Sequence, residues 1–189
     1  ATIIATILGT IAAIGIYYLK GYKKTLLLNM NYLPVLNPDI VTAVSLMVIF
    51  NLMSFPFGFF TMLLSHITFT TPYVILAVLP KLSQMNKFLP EAAMDMGATP
   101  FYTLRKVVLP EIKTGVFSGS LLAFTLSIDD FVISFFTTGH GVSNLSVTVY
   151  SMAKKGVNPA INALSTIMFL VMVILLLILH NRTNLLEEL

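Results

Sequence analysis

The sequence predicts an all-α integral membrane protein, and three observations carry that reading. Hydrophobic residues make up 57% of the 189-residue chain and charged residues only 10%, against about 25% charged in an ordinary soluble domain. The mean hydropathy is +0.90. Five apolar runs come close to or exceed the roughly 20 residues that a helix needs to cross a bilayer.

The first run covers residues 1–19. The chain opens with Ala1 inside it, without an initiator Met or the basic stretch of a signal peptide, so upstream sequence is expected. The second run, 25–53, is interrupted by Pro34 and Pro38, and the third, 59–80, by Pro72. Each proline removes a backbone hydrogen bond, which hydrocarbon tolerates only where neighbouring helices, hydroxyls or water take up the freed carbonyl. The fourth run, 115–138, carries Gly115, Gly119, Ala123 and Ser127 at a repeat of four, a small-residue stripe that lets another helix backbone approach closely. The fifth is 161–180.

Lys and Arg set the orientation, because cytoplasmic connections carry the excess. Lys20, Lys23, Lys24, Lys81, Lys87, Arg105, Lys106, Lys113 and Arg182 fall on one side, and only Lys154 and Lys155 on the other. The expected cytoplasmic side therefore holds the 87–110 connection and the C-terminus, while 54–58 and 139–160 face outward. The basic residues sit at the ends of apolar runs and form no basic face interleaved with aromatics, so no nucleic-acid partner is expected. Without cysteine there is no disulfide framework, thiolate nucleophile or Cys-ligated metal. His66, His140 and His180 are too scattered for a metal site. No Walker loop, nucleophile–base pair or dinucleotide fingerprint is present, so no catalytic site and no bound cofactor are expected in this chain.

The polar connection reads as a helical hairpin. Pro90 suits the first turn of a helix, Glu91 lies near its positive end, and Gly97 can stop it in a left-handed conformation. Thr99 then caps a second helix with Pro100 at its first position. Leu89, Ala92, Ala93 and Met96 recur at i, i+3, i+4 and i+7, a narrow apolar stripe suited to a partner's groove. Lys87, Glu91 and Asp95 occupy another face at spacings of four, where they support the helix and steer docking.

On these residues the hairpin resembles the cytoplasmic loop of ABC importer permeases. The shared pattern is Glu-Ala-Ala, three residues, Gly, nine residues, an aliphatic, one residue, Leu-Pro, supplied by Glu91, Ala92, Ala93, Gly97, Val107, Leu109 and Pro110. Val107 stands where Ile is usual. The runs Asn37-Pro38-Asp39-Ile40-Val41, Ser65-His66-Ile67-Thr68-Phe69, Phe124 to Asp130, Tyr150-Ser151-Met152 and Gly156-Val157-Asn158-Pro159 extend the resemblance to spermidine/putrescine importer permeases over essentially the whole chain. The resemblance implies one permease domain over 1–189, of the type I importer fold, in the bacterial cytoplasmic membrane. Five transmembrane helices would lie in this sequence, of the six usual in the family, and 87–110 would be its coupling hairpin. It further implies a second homologous permease, two ATPase subunits that bind ATP and Mg, an external substrate-binding protein and a polyamine cargo.

A cationic cargo is also favoured by three acids. Asp39, Asp129 and Asp130 lie inside apolar runs without Lys or Arg beside them, and such an acid costs roughly 2.5–3.5 kcal/mol at a helix centre. An ammonium chain satisfies such carboxylates; so does protonation, backbone freed at Pro38, or hydration near the interface. For Asp39 the two readings balance. Asp129 and Asp130 are about 100° apart around a helix, so one is expected to line the pathway and the other to face a helix or the outer vestibule, with Asp130, three residues from Ser127, a candidate for the subunit seam; Ser127 is a further pathway candidate. Tyr73, Phe131 and Phe135 could add cation–π contacts, although packing is the commoner role. His66, beside Ser65 and Thr68, is expected to be a hydrogen-bonded packing residue. Lys154 and Lys155 fit either a binding-protein contact or a solvated helix end. An importer for another cargo and an ion-coupled transporter or channel are the rival functions.

Overall fold

A computed structural model describes residues 1–139, 142–154, 159, 162–171, 173, 174 and 177. All regular structure among them is helical. In chain order the helices are α1 (Thr2–Tyr18), α2 (Tyr22–Leu36), α3 (Asp39–Leu52), α4 (Phe59–Gln84), α5 (Phe88–Asp95), α6 (Pro100–Thr103), a π turn (Leu104–Val108), α7 (Leu109–Glu111), α8 (Lys113–Asp129), α9 (Val132–Thr137), α10 (Leu145–Lys154) and α11 (Asn162–Val171).

The 26 residues of α4 form the central post, buried on several faces, and α1 and α8 pack against it on two sides. Glycine makes those contacts possible. A methyl group at Gly9 of α1 would lie 2.7 Å from Val74 Cβ, and one at Gly119 of α8 would lie 3.1 Å from Val74 Cγ1 and 3.2 Å from its Cα. Val74 is therefore held between two glycine backbones. At Gly115 an added methyl would meet the Ala77 carbonyl at 3.1 Å, and Ala123 is fully buried, so the stripe on α8 is the packing seam with α4. The seam joins a core of Ala13, Ile16, Val78, Leu82, Val108 and Ile112, which ties the hairpin's second limb to the bundle. A smaller core of Ala43, Phe69 and Ile133 joins α3, α4 and α9.

Most hydroxyls of α4 are satisfied within the helix, while Thr61 also donates to the Thr137 carbonyl of α9 at 2.8 Å. Ser65, Thr68, Thr70 and Thr71 each donate to the carbonyl four residues back, at 2.6–2.9 Å. This is how a helix rich in Ser and Thr remains compatible with apolar surroundings.

Proline acts differently from the sequence expectation. Pro72 and Pro80 lie inside an unbroken α4, and Pro34 inside α2. The interruption of 25–53 falls at Asn37–Pro38, where α2 and α3 meet at 103°. The run 115–138 also breaks, at Asp130, whose ψ of 120° leaves the helix. Its cytoplasm-assigned end turns by 71° between α7 and α8. Among the described residues, α4 alone can cross a membrane by length and apolarity, or up to three spans if each bent pair counts as one; α1 and α11 are shorter apolar helices. Hydropathy joins segments that the backbone separates, because it does not register a change of direction.

Candidate functional site

The hairpin is built from backbone groups that its sequence satisfies locally. Gly97 has φ of 91°, its N–H donates to the Met94 carbonyl at 2.9 Å, and the Ala98 N–H donates to the Ala93 carbonyl at 3.1 Å. That pair of bonds is the Schellman closure, and it needs a residue comfortable at positive φ. Thr99 Oγ1 accepts the Tyr102 N–H at 3.3 Å, with Pro100 at the first helical position. Glu91 lies in the first turn of α5, exposed, as is Ala92; Ala93 is half-buried. Val107 is half-buried within the π turn, while Leu109 and Pro110 are exposed. Phe88, Met96 and Phe101 are 72%, 91% and 73% exposed, so the hairpin presents large apolar side chains that its own chain leaves uncovered. Lys87, Glu91 and Asp95 are in no ion pair among the described residues and remain exposed.

The three acids have three environments. Asp39 is exposed in the first turn of α3, where the unpaired N–H groups of a helix start favour a carboxylate. It sits at a helix start rather than mid-span. The Asp130 side chain is only 5% exposed and points forward to α9. Its Oδ1 accepts the Ile133 N–H at 3.0 Å, and its Oδ2 accepts the Ser134 N–H and the Ser134 hydroxyl, both at 2.8 Å.

His66 completes this arrangement. Its Nε2 lies 2.8 Å from Ser134 Oγ and 3.4 Å from Asp130 Oδ2, and its Nδ1 lies 2.8 Å from Ser127 Oγ. Ser134 has one hydroxyl proton, donated to Asp130, so Nε2 must donate to Ser134. In a singly protonated ring Nδ1 then accepts the Ser127 hydroxyl proton. Asn144 Nδ2 adds bonds to Ser134 Oγ and to the Asp130 carbonyl. Ser127, His66, Asp130, Ser134 and Asn144 thus join α4, α8, α9 and the approach to α10.

Asp129, the last residue of α8, points elsewhere. It is exposed, has no hydrogen-bond or ion-pair partner among the described residues, and lines a cavity of about 580 Å³ shared with α10 and α11. Ser127 and Asp130 therefore belong to one buried network, Asp129 to an open cavity, and Asp39 to neither. Phe131 and Tyr150 also line that cavity, with ring centroids 4.5 Å apart. Phe135 lies 5.4 Å from Phe131, and Tyr73 packs on Phe69 at 5.6 Å. The expected neighbours of His66, Ser65 and Thr68, bond to carbonyls instead. Lys154 is exposed at the end of α10; Lys155, Gly156 to Asn158, His140, His180 and Arg182 lie outside the described residues.

Ser134, Asn144 and Ser146 escape a reading of motifs, Tyr150 enters one only as part of the Tyr150-Ser151-Met152 run, and one signal for the first was available. An Asp three and four residues before backbone N–H groups that need partners is a helix-capping pattern, even inside an apolar run.

Residues 5–185 match the family described as "Binding-protein-dependent transport system inner membrane component". The chain belongs to that family. It is 39% identical over 173 residues to the Escherichia coli strain K12 "Spermidine/putrescine transport system permease protein PotC", covering 92% of this chain and 66% of that protein. The Haemophilus influenzae protein of the same name is 38% identical over 187 residues, covering 97% of this chain and 73% of its own length. The E. coli K12 "Putrescine transport system permease protein PotI" is 39% identical over 170 residues, covering 86% and 60%. This chain thus spans just under two thirds of the E. coli PotC that it matches. These relatives of the inner-membrane-component family are transport permeases rather than enzymes.

Proposed function

We propose that this chain is the transmembrane permease subunit of an ATP-driven polyamine importer, forming half of the translocation pathway with a second homologous permease. Its spans are α1, the bent α2–α3 pair, α4, α8 with α9, and α11. The excess of Lys and Arg supports a cytoplasmic position for the 87–110 hairpin and the C-terminus. There the uncovered Phe88, Met96 and Phe101 seat in an ATPase subunit, two of which bind ATP and Mg for the complex. Glu91, Ala92, Ala93, Gly97, Val107, Leu109 and Pro110 shape the elbow that carries nucleotide-driven movement into the spans. An external binding protein delivers cargo on the opposite side.

One observation carries the cationic cargo: of two adjacent acids, Asp130 is fully used by the protein and Asp129, on a cavity wall, has no partner among the described residues. An intramembrane carboxylate without a partner marks an ion or substrate route, and an ammonium is its natural complement. Ser127 and Asp130 act behind that wall, and Asp39 stands at a separate helix start. The relatives' names concern spermidine and putrescine, the same chemistry.

The test is uptake of labelled polyamine into proteoliposomes holding this chain, its second permease, the ATPase and the binding protein. ATP-dependent accumulation that stops with a hydrolysis-dead ATPase is expected. Persistent uptake with the dead ATPase overturns the ATP-driven reading, and saturable uptake of only neutral or anionic cargo overturns the polyamine reading.

A further inference from the structure

We propose that Phe131 and Tyr150 form an aromatic wall that binds one alkylammonium group of the cargo beside Asp129, making this cavity a cation-selective station. The inference rests on the cationic-cargo reading above and adds the residues that select for it.

The cavity's polarity is one-sided. Asp129 contributes a carboxylate with no partner among the described residues. Ser146 contributes a hydroxyl whose proton is already committed to the Ile128 carbonyl at 2.8 Å, so its oxygen offers the cavity only lone pairs. Among the described residues no Lys or Arg lines the space. Phe131 and Tyr150 stack at 4.5 Å with planes inclined by 37°, and the electron-rich faces of such rings attract cations. Tyr150 is 47% exposed, so its ring is a wall rather than buried filling.

The apolar remainder fits the cargo's other half. Leu145, Val149 and Met168 line the same cavity and suit the methylene spacers between ammonium groups. A volume of about 580 Å³ lies within the usual range for small-molecule sites. A simple inorganic cation would leave that apolar wall unused, and an anion would be repelled by the Asp129 carboxylate.

Phe131 follows Asp130 directly, and Asp130 is fixed by Ile133, Ser134 and His66. The buried network therefore sets the position of one ring and of Asp129 together. Tyr150 reaches the same place from α10, so the wall assembles only when α8 and α10 are docked.

The experiment uses the complete reconstituted importer and measures the concentration dependence of spermidine uptake. Tyr150→Leu and Phe131→Leu are each expected to raise KM by about 2- to 30-fold, the range of a single cation–π contact, while Tyr150→Phe stays within about twofold of wild type. Fluorinated phenylalanines at position 150 provide the decisive series, since they keep ring shape while draining electron density. KM is expected to climb with each added fluorine. A flat fluorine series, or leucine variants with unaltered KM in assembled complexes, overturns the aromatic wall and leaves polyamine import standing. Wild-type complex that takes up no polyamine overturns the cargo reading and this inference with it.

Discussion

Ser127 Oγ lies 2.8 Å from His66 Nδ1, a side-chain hydrogen bond that crosses from α8 to α4 at the end of the small-residue seam. At Gly115, Gly119 and Ala123 the two helices touch through backbone and methyl groups. At Ser127 the seam ends in a polar bond that continues through His66 to Ser134 and Asp130. The four-residue repeat thus positions a packing surface and, one turn later, a hydrogen-bond hub.

His66→Leu is expected to destabilise the protein beyond a simple packing change. It removes the acceptor of the Ser127 hydroxyl, a group that costs about 1–3 kcal/mol to leave unpaired, and one of the two side-chain donors to Ser134 Oγ, the other being Asn144. Thermal unfolding of the purified complex measures this. His66→Gln, which can both accept and donate, is expected to recover part of the loss; equal stability of leucine and wild type would remove the network from the account.

Glycine at the Val74 contact leads to a packing prediction with an internal control. Gly119→Ala places a methyl 3.1 Å from Val74 Cγ1 and 3.2 Å from its Cα, and overpacking of this kind costs about 1–3 kcal/mol. Gly15→Ala meets nothing within 4 Å and is expected to be neutral or slightly stabilising. Val74→Ala clears the side-chain clash but not the backbone one, so the double variant should recover only part of the loss. Equal effects at positions 119 and 15, measured by denaturant unfolding in detergent, would contradict the seam.

The adjacent acids separate by readout. Asp130→Asn loses one of the acceptors that serve Ile133 and Ser134 and is expected to cost about 0.5–2 kcal/mol of stability, as loss of a helix cap does. Asp129→Asn changes an exposed group without a partner among the described residues, so stability should stay within about 0.5 kcal/mol while polyamine uptake falls. Melting temperature and uptake on the same two preparations decide the matter. A stability loss at 129 with none at 130 would reverse the assignment.

Local chemistry was the legible part of this chain. The Gly97 closure, the Thr99–Pro100 cap and the Gly115–Gly119–Ala123 seam are each encoded within a few residues, and each is present. The interruption at Asp130 was hidden because hydropathy scores 115–138 as one apolar run, whereas the side chain bonds forward to Ile133 and Ser134 and starts a new helix. His66 was legible as a hydrogen-bonded packing residue, but its partners Ser127 and Ser134 lie 61 and 68 positions away, beyond any spacing rule. That Asp129 and Asp130 point apart follows from helical geometry. Which one the protein consumes is set by the forward bonds to Ile133 and Ser134, to which His66 of α4 adds a contact at 3.4 Å that no spacing rule contains.

Gly97 gives a graded test of the hairpin. Its φ of 91° lies where L-residues with a Cβ are strained, yet a methyl there would touch nothing within 4 Å, so the penalty of substitution is purely conformational. Asn, which tolerates left-handed backbone, is expected to be mild; Ala costs about 1 kcal/mol of hairpin closure and Val more. Pro is worst, since its φ is locked near −65° and it lacks the N–H that Gly97 donates to Met94 at 2.9 Å. Because Gly97 is exposed and outside the packed core, all four variants should insert in the membrane like wild type. Co-purification of the ATPase and ATP-dependent uptake should fall in the order Asn, Ala, Val, Pro. Full coupling in Gly97→Pro would show that the hairpin's elbow transmits nothing; poor insertion of that variant alone, with coupling graded across the other three, would assign proline an added folding defect and leave the elbow's role intact.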